Sequence, residues 1–335
     1  MTHTLRRALR ALLTLLFPLA LGLPSAGCSD PAVGTEARPF TMYFVPSADT
    51  EKIAASAKDI QAFVATYVSR ALYNSDTGFH VETAIPTSYV AVVEAFGTGR
   101  ADFAALNTFG YVLAKDVKKY PVEAILTVVR GNGETSYRGQ IITHVDSGIN
   151  TLADLAGRKF AYTDAASTAG YILPSKLLRD RGVQLGETVF SGKHDSVVMQ
   201  VYQRAVDAGA TFYSPPTVVT AADGTTSETP RDARARVLTQ YPDVFEKVKI
   251  IDFTADTPND AWVVRQGLDP DAAKDAAIRN AVRDALLAFA ATPEGAESLE
   301  GLYDITGLAP ADDARYDGIR KLVLESGLDL ESNVK

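Results

Sequence analysis

Cysteine is all but absent from this 335-residue chain: Cys28 is the only one, so no disulfide can form within it. Histidine is scarce too, and His3, His80, His144 and His194 have no spacing that would gather them around a metal ion. After Arg6, Arg7 and Arg10 no basic run occurs, and 33 Lys and Arg face 41 Asp and Glu, which argues against nucleic acid as a partner. The chain lacks a Gly-x-Ser-x-Gly elbow, a His-Glu-x-x-His helix and a P-loop lysine. A hydrolase needs a positioned base or a metal, and neither pattern is present. The expectation is therefore a non-enzyme with no cofactor and no metal site.

The N-terminus has a basic start, an apolar stretch from Ala11 to Leu23, and the small-residue close Pro24-Ser-Ala-Gly-Cys28. This reads as a secretory signal peptide over residues 1–27, its apolar run being short for a membrane span. Cys28 sits where the bacterial lipobox has its lipidated cysteine, although Ser25 replaces the usual Leu or Val. Lipidation at Cys28, an extracytoplasmic location and a membrane anchor follow as expectations, with residues 28–38 as a tether. Without the three leading arginines, 30 basic residues face 41 acidic ones, a net charge near −11. Composition is that of a globular protein, 46% hydrophobic and 22% charged, and the length suffices for two cores.

Periodicity then organises the chain. Phe40 to Val45 reads as a strand, and apolar residues at 53, 57, 60, 64, 67, 68, 71 and 72 define a long amphipathic helix. A strand over 79–85, a helix from Tyr89 to Phe96 and a strand over 101–106 complete a β-α-β-α-β unit with a parallel sheet. Strands near 125–129 and 138–143 lead out of it. A second series follows, with strands near 157–161, 187–190 and 206–212 and helices over 171–181 and 195–205. Residues 221–233 read as a solvent loop, 248–253 as a strand leading back, and 271–292, 293–301 and 312–326 as helices. Two α/β lobes around a cleft are expected, lobe one being 38–136 plus 254–335 and lobe two 137–253. No internal repeat is visible in the sequence.

The richest stretch is Phe160-Ala-Tyr-Thr-Asp-Ala-Ala-Ser-Thr-Ala-Gly-Tyr-Ile-Leu-Pro174. A strand runs into small hydroxyl residues and a glycine at a helix start, where free N–H groups and about half a positive charge favour an oxyanion. An ordinary Ser/Thr cap is the bland alternative. Around this turn lie Tyr89-Val-Ala-Val-Val-Glu-Ala-Phe, Asn107-Thr-Phe-Gly-Tyr111, Ser136-Tyr137-Arg-Gly-Gln-Ile, Ser191-Gly-Lys-His194-Asp-Ser-Val-Val, Thr257-Pro-Asn-Asp260 and Tyr316-Asp-Gly-Ile-Arg-Lys-Leu322. In this order over roughly residues 40–325, the chain resembles the phosphate, phosphite and phosphonate-binding proteins of ABC transporters.

That resemblance implies a type II periplasmic-binding-protein fold, a small phosphorus oxyanion as ligand, an ABC permease as partner, and a monomer. It places Ser167, Thr168 and Ala169 on the anion, the third position lacking the family's hydroxyl. It adds His194 at the head of a helix, Tyr89 and Tyr137 as cleft tyrosines, Asn107 and Thr108 after the third strand, and Asp260 toward a ligand amino group. The acid that accompanies such an aspartate in the family is missing near Ser214, which disfavours aminoalkylphosphonates. The alternatives are another small phosphorylated or heterocyclic solute, or a subunit that presents its ligand to a membrane sensor.

Overall fold

The alternation of short apolar strands and amphipathic helices is realised twice. The computed structural model describes residues 30–221 and 223–325; the expected signal peptide and Cys28 lie outside them. The first run is β1 (Phe40–Phe44), α1 (Thr50–Tyr73), β2 (Val81–Ala84), α2 (Tyr89–Gly97), β3 (Phe103–Leu106), α3 (Thr108–Val112) and β4 (Val122–Val129). The second is β5 (Ser136–His144), β6 (Phe160–Tyr162), α4 (Leu173–Asp180), β7 (Thr188–Phe190), α5 (His194–Tyr202) and β8 (Ala208–Tyr213). A hairpin of β9 (Thr217–Thr220) and β10 (Thr226–Thr229) follows, then α6 (Val244–Lys247), β11 (Val248–Phe253) and β12 (Thr257–Pro258). The chain ends with β13 (Ala261–Arg265), α7 (Ala272–Ala290), α8 (Pro293–Tyr303), β14 (Gly307–Pro310) and α9 (Asp317–Glu325).

Two sheets result, ordered β14-β4-β13-β3-β1-β2 and β11-β5-β8-β6-β7. In the first, β1 lies parallel between β2 and β3, and β13 and β14 join antiparallel. In the second, β6 lies parallel between β7 and β8, and β5 joins antiparallel. Both lobes thus share one strand-helix order, although the sequence shows no repeat. Such sheets gather ligand sites at the carboxyl ends of their parallel strands.

Each sheet is sandwiched because its strands are apolar on both faces: Phe103 to Leu106 are all buried, as are Ala261 to Val264. Trp262 is fully buried and meets Phe103 edge-on at 5.6 Å. Asp49 caps α1, accepting from the Glu51 and Lys52 N–H groups at 2.9 and 3.1 Å. The helix buries Ile53, Ala57, Ile60, Val64 and Val68, a stripe one helical turn apart. Each fully buried aliphatic side chain there contributes about 1.5–3 kcal/mol.

Four expectations need revision. The tether is docked from Ala32 on: Val33 is buried, His80 N–H donates to the Gly34 carbonyl at 2.7 Å, and Arg38 grips Asp102 with two nitrogens at 2.8 Å. Asp102 also takes Arg265, so one buried carboxylate ties the entry segment to β13. The expected loop over 221–233 contains β10, which pairs with the preceding β9 in an exposed hairpin whose threonine-rich strands pair only with each other. Of the strands after β11, none was anticipated: β12, β13 and β14 are additions, and β13 is central to its sheet.

Two chain segments link the lobes, one between β4 and β5 and one between β11 and β13. They are stitched together. Thr257 and Pro258 pair with Tyr137 and Ser136, and the Asn259 amide donates to the carbonyls of Val128 and Glu134 at 3.0 and 2.9 Å.

Candidate functional site

Four helical segments begin at one point between the lobes, each at the carboxyl end of a parallel strand. α2 starts at Tyr89 behind the Ser88 cap, and α3 starts behind Asn107, whose Oδ1 accepts the Gly110 N–H at 2.8 Å. The π-turn Thr168–Ile172 runs directly into α4 behind Ser167, whose Oγ accepts the Gly170 N–H at 3.1 Å. α5 starts at His194. Each such end carries about half a positive charge and N–H groups with no helical acceptor. Within a chain of net charge −8, this convergence makes a local anion-attracting field.

The sequence of the turn follows from its packing. A Cβ on Gly170 would meet the Thr163 Oγ1 at 2.2 Å and the Ser167 Oγ at 2.8 Å, so only glycine fits. A Cβ on Gly139 of β5 would meet the Ala169 carbonyl at 2.8 Å; its absence lets the turn lie flat on that strand. The N–H groups of Thr168 and Ala169 are the first two of the turn and have no acceptor ahead of them in the helix.

These ends enclose a cavity of about 60 Å³. A single water needs about 10–15 Å³ on that scale, so the space suits roughly four to six non-hydrogen atoms, the size of a tetrahedral oxyanion. Its wall includes Tyr89, Asn107, Tyr137, Ser167, Ala169, His194 and Asp260, with Ser47, Ser214 and Tyr303. Arg130 and Arg236 also reach it.

The wall is rich in donors. The Tyr89 hydroxyl is buried without a partner, and burial with nearby Asp164 pushes its ionisation well above the ordinary tyrosine value. Burial, with Asp260 next, likewise raises Tyr137, whose hydroxyl lies against those of Thr168 and Thr108. Both phenols therefore keep their protons. His194 is brought down to about 3 by burial, helped by Arg236 and Arg130, and stands neutral. Its Nδ1 lies 3.2 Å from the Thr163 hydroxyl, whose single proton has a second acceptor in the Ala210 carbonyl at 3.3 Å; an Nε2–H toward the cavity requires that proton to go to Nδ1.

The nine expected residues fall into two groups. Tyr89, Asn107, Tyr137, Ser167, Ala169, His194 and Asp260 line the cavity. Thr168 and Thr108 stand behind its wall. The Thr168 Oγ1 accepts the Phe109 N–H across the cleft at 2.9 Å, and the Thr108 hydroxyl donates to the Pro258 carbonyl at 2.6 Å. Asn107 spends its Nδ2 on the Ala166 carbonyl of the other lobe at 2.8 Å and its Oδ1 on its own helix. Asp260 is paired with Arg130 at 2.7 Å.

Arg130, Arg236 and Tyr303 were not singled out in the sequence. Arg130 also donates to the Tyr303 carbonyl at 3.1 Å, and the Tyr303 hydroxyl donates to Val45 at 2.7 Å. Arg236 pairs with Asp304 at 2.8 Å. The one available signal was Arg231, Arg234 and Arg236 close together in an acidic chain, within and just beyond a segment read as solvent loop.

Two α/β lobes closed over a polar, donor-rich cavity define a solute-binding protein of the type II periplasmic class. The chain belongs to the family of phosphonate periplasmic substrate-binding proteins of ABC transporters, whose model matches residues 42–316. It is thus a substrate-binding component and not an enzyme. It is 29% identical over 154 residues to a phosphate-import protein PhnD of Mycolicibacterium smegmatis, the match spanning 42% of this chain and about half, 47%, of that curated relative. Among solved structures, a binding component of an ABC phosphonate transporter from Pseudomonas aeruginosa superposes with a TM-score of 0.68 at 17% identity, covering 88% of this chain and 86% of that one. PhnD1 from Prochlorococcus marinus, in complex with methylphosphonate, gives 0.67 at 16% identity over 89% of this chain and 99% of that one. At such identities these likenesses concern the fold.

Proposed function

We propose that this protein captures a small phosphorus oxyanion (phosphate, phosphite or a short alkylphosphonate) in the cavity between its lobes and delivers it to an ABC permease. The convergence of four helix starts on a cavity the size of one tetrahedral anion carries the reading. Tyr89, Tyr137, Ser167, the Ala169 N–H and His194 are its direct contacts, and Thr168, Asn107 and Thr108 hold the lobes and walls around it. The relatives named for phosphate import and for methylphosphonate support the same ligand class.

Asp260 bears on selectivity. Its charge is already matched by Arg130, and Ser214 stands where a second acid would be needed, so a ligand ammonium would enter the cavity uncompensated. Calorimetric titration should show phosphate, phosphite or methylphosphonate binding at least about tenfold tighter than aminoethylphosphonate, a difference of about 1.4 kcal/mol. Failure of all four to bind would refute the ligand class, and tighter binding of the amino compound would refute the role given to Asp260.

The N-terminal sequence supports export and anchoring through a lipidated Cys28. Fractionated cells should hold the protein in the membrane and release a Cys28→Ser variant in soluble form. Equal partition of the two would remove the anchor.

A further inference from the structure

Among the buried side chains of the described residues, one cationic nitrogen has no hydrogen-bond partner: Nη1 of Arg236. The residue belongs to the turn Ala233–Val237 of the second lobe. Its Nε and Nη2 both donate to Oδ2 of Asp304, at 3.2 and 2.8 Å. Asp304 caps α8 in the first lobe, in a left-handed conformation with φ of 55°. The ion pair therefore spans the cleft. The guanidinium lies 4.6 Å from the centre of the Phe212 ring and forms part of the cavity wall, which Asp304 does not reach.

An unpaired cationic donor is costly to bury. Arg236 also lines a neighbouring cavity with Asp195, whose Oδ1 is likewise unpartnered, so the guanidinium is held between that carboxylate and the small cavity; an anion in the small cavity would give it a further acceptor on closure. A ligand shifts a conformational equilibrium only through such a difference between the two states. The opposite edge of the same guanidinium, held by Asp304, then ties the lobes together. Burial alone would raise the Asp304 carboxyl, but Arg236, with Arg130 and Arg231 nearby, brings it below its ordinary value, so it stays charged for this task.

Resting on the oxyanion reading above, we propose that Arg236 is a ligand-binding residue and Asp304 its positioning residue, the pair acting as a latch that couples anion occupancy to lobe closure. Such coupling is reciprocal: whatever weakens the latch weakens binding by the same factor.

The test uses inorganic phosphate and methylphosphonate as separate probes on the full mature chain. Calorimetry gives affinity, stopped-flow mixing gives dissociation rates, and small-angle X-ray scattering gives compaction on binding. Arg236→Gln should weaken the anion that wild type binds by at least tenfold, and Arg236→Lys should recover part of that loss. Asp304→Asn, chosen because asparagine tolerates the left-handed backbone, should weaken binding at least threefold, mainly through faster dissociation, and reduce compaction. Should Arg236→Gln fail to fold with Asp304 unpaired, the Arg236→Gln/Asp304→Asn double variant removes both charges and takes its place. Unchanged affinity in the folded Arg236 variant overturns the proposal, as does an Asp304→Asn protein that is less stable but releases anion at the wild-type rate. A wild type that binds neither probe, nor phosphite or aminoethylphosphonate, defeats the oxyanion reading itself, an outcome distinct from binding that ignores Arg236.

Discussion

His194 is neutral in the fold because burial, with two arginines nearby, penalises the imidazolium, and this gives the protein a pH signature. Its ordinary value of 6.5 is lowered to about 3. Between those limits the unfolded chain holds a proton that the folded chain does not. Stability therefore declines as pH falls below about 6.5, by up to about 1.4 kcal/mol per unit from this group. Half-buried Asp164 and Asp195, both raised by desolvation, act in the opposite sense, so the contribution of His194 is read as a difference. Urea unfolding at pH 7, 6 and 5 should show a steeper decline for wild type than for His194→Gln. Parallel curves would mean that the imidazole binds protons equally in the folded and unfolded chain, contrary to its burial.

The turn of residues 167–172 is the element on which the site depends, and its glycine is its least replaceable part. Gly170→Ala drives a methyl group into Thr163, whose hydroxyl is committed to His194 and to the Ala210 carbonyl. The turn must shift, at about 1–3 kcal/mol in stability, as overpacked sites commonly do. Phosphate affinity should fall with it, and a Gly170→Ala protein of wild-type stability and affinity by unfolding and calorimetry would refute the packing argument. This turn was legible in the sequence because strand, hydroxyls and glycine are consecutive. So was α1, whose buried stripe runs through Ile53, Ile60 and Val68. β13 was not, because Ala261-Trp-Val-Val is too short to show a period and follows directly on a turn. Arg236 was hidden for a different reason. Its importance comes from Asp304, 68 positions away, and local composition carries no trace of that pairing.

At the scale of the whole molecule, the two lobes repeat one topology, with α2 and α5 starting at equivalent places and presenting Tyr89 and His194 to the same cavity from opposite lobes. Both lobes contribute to the cavity wall, Tyr89 and Asn107 from the first and Tyr137, Ser167, Ala169, His194 and Arg236 from the second, so neither alone encloses it. The segments that join them carry Arg130 and Asp260, and Thr257 pairs with Tyr137 at the start of β5; all three side chains, Arg130, Asp260 and Tyr137, are also cavity wall. A rigid rotation displaces each atom in proportion to its distance from the axis. Contacts on the joining segments barely move as the lobes swing, while those on the outlying helices travel furthest. Wall groups near the joining segments would therefore keep their places through such a rotation, while the grips on the outlying helices would change with it. Changes at Tyr137 should therefore alter the association rate, and changes at Arg236 the residence time. The segments that join the lobes are thus also part of the wall of the cavity between them.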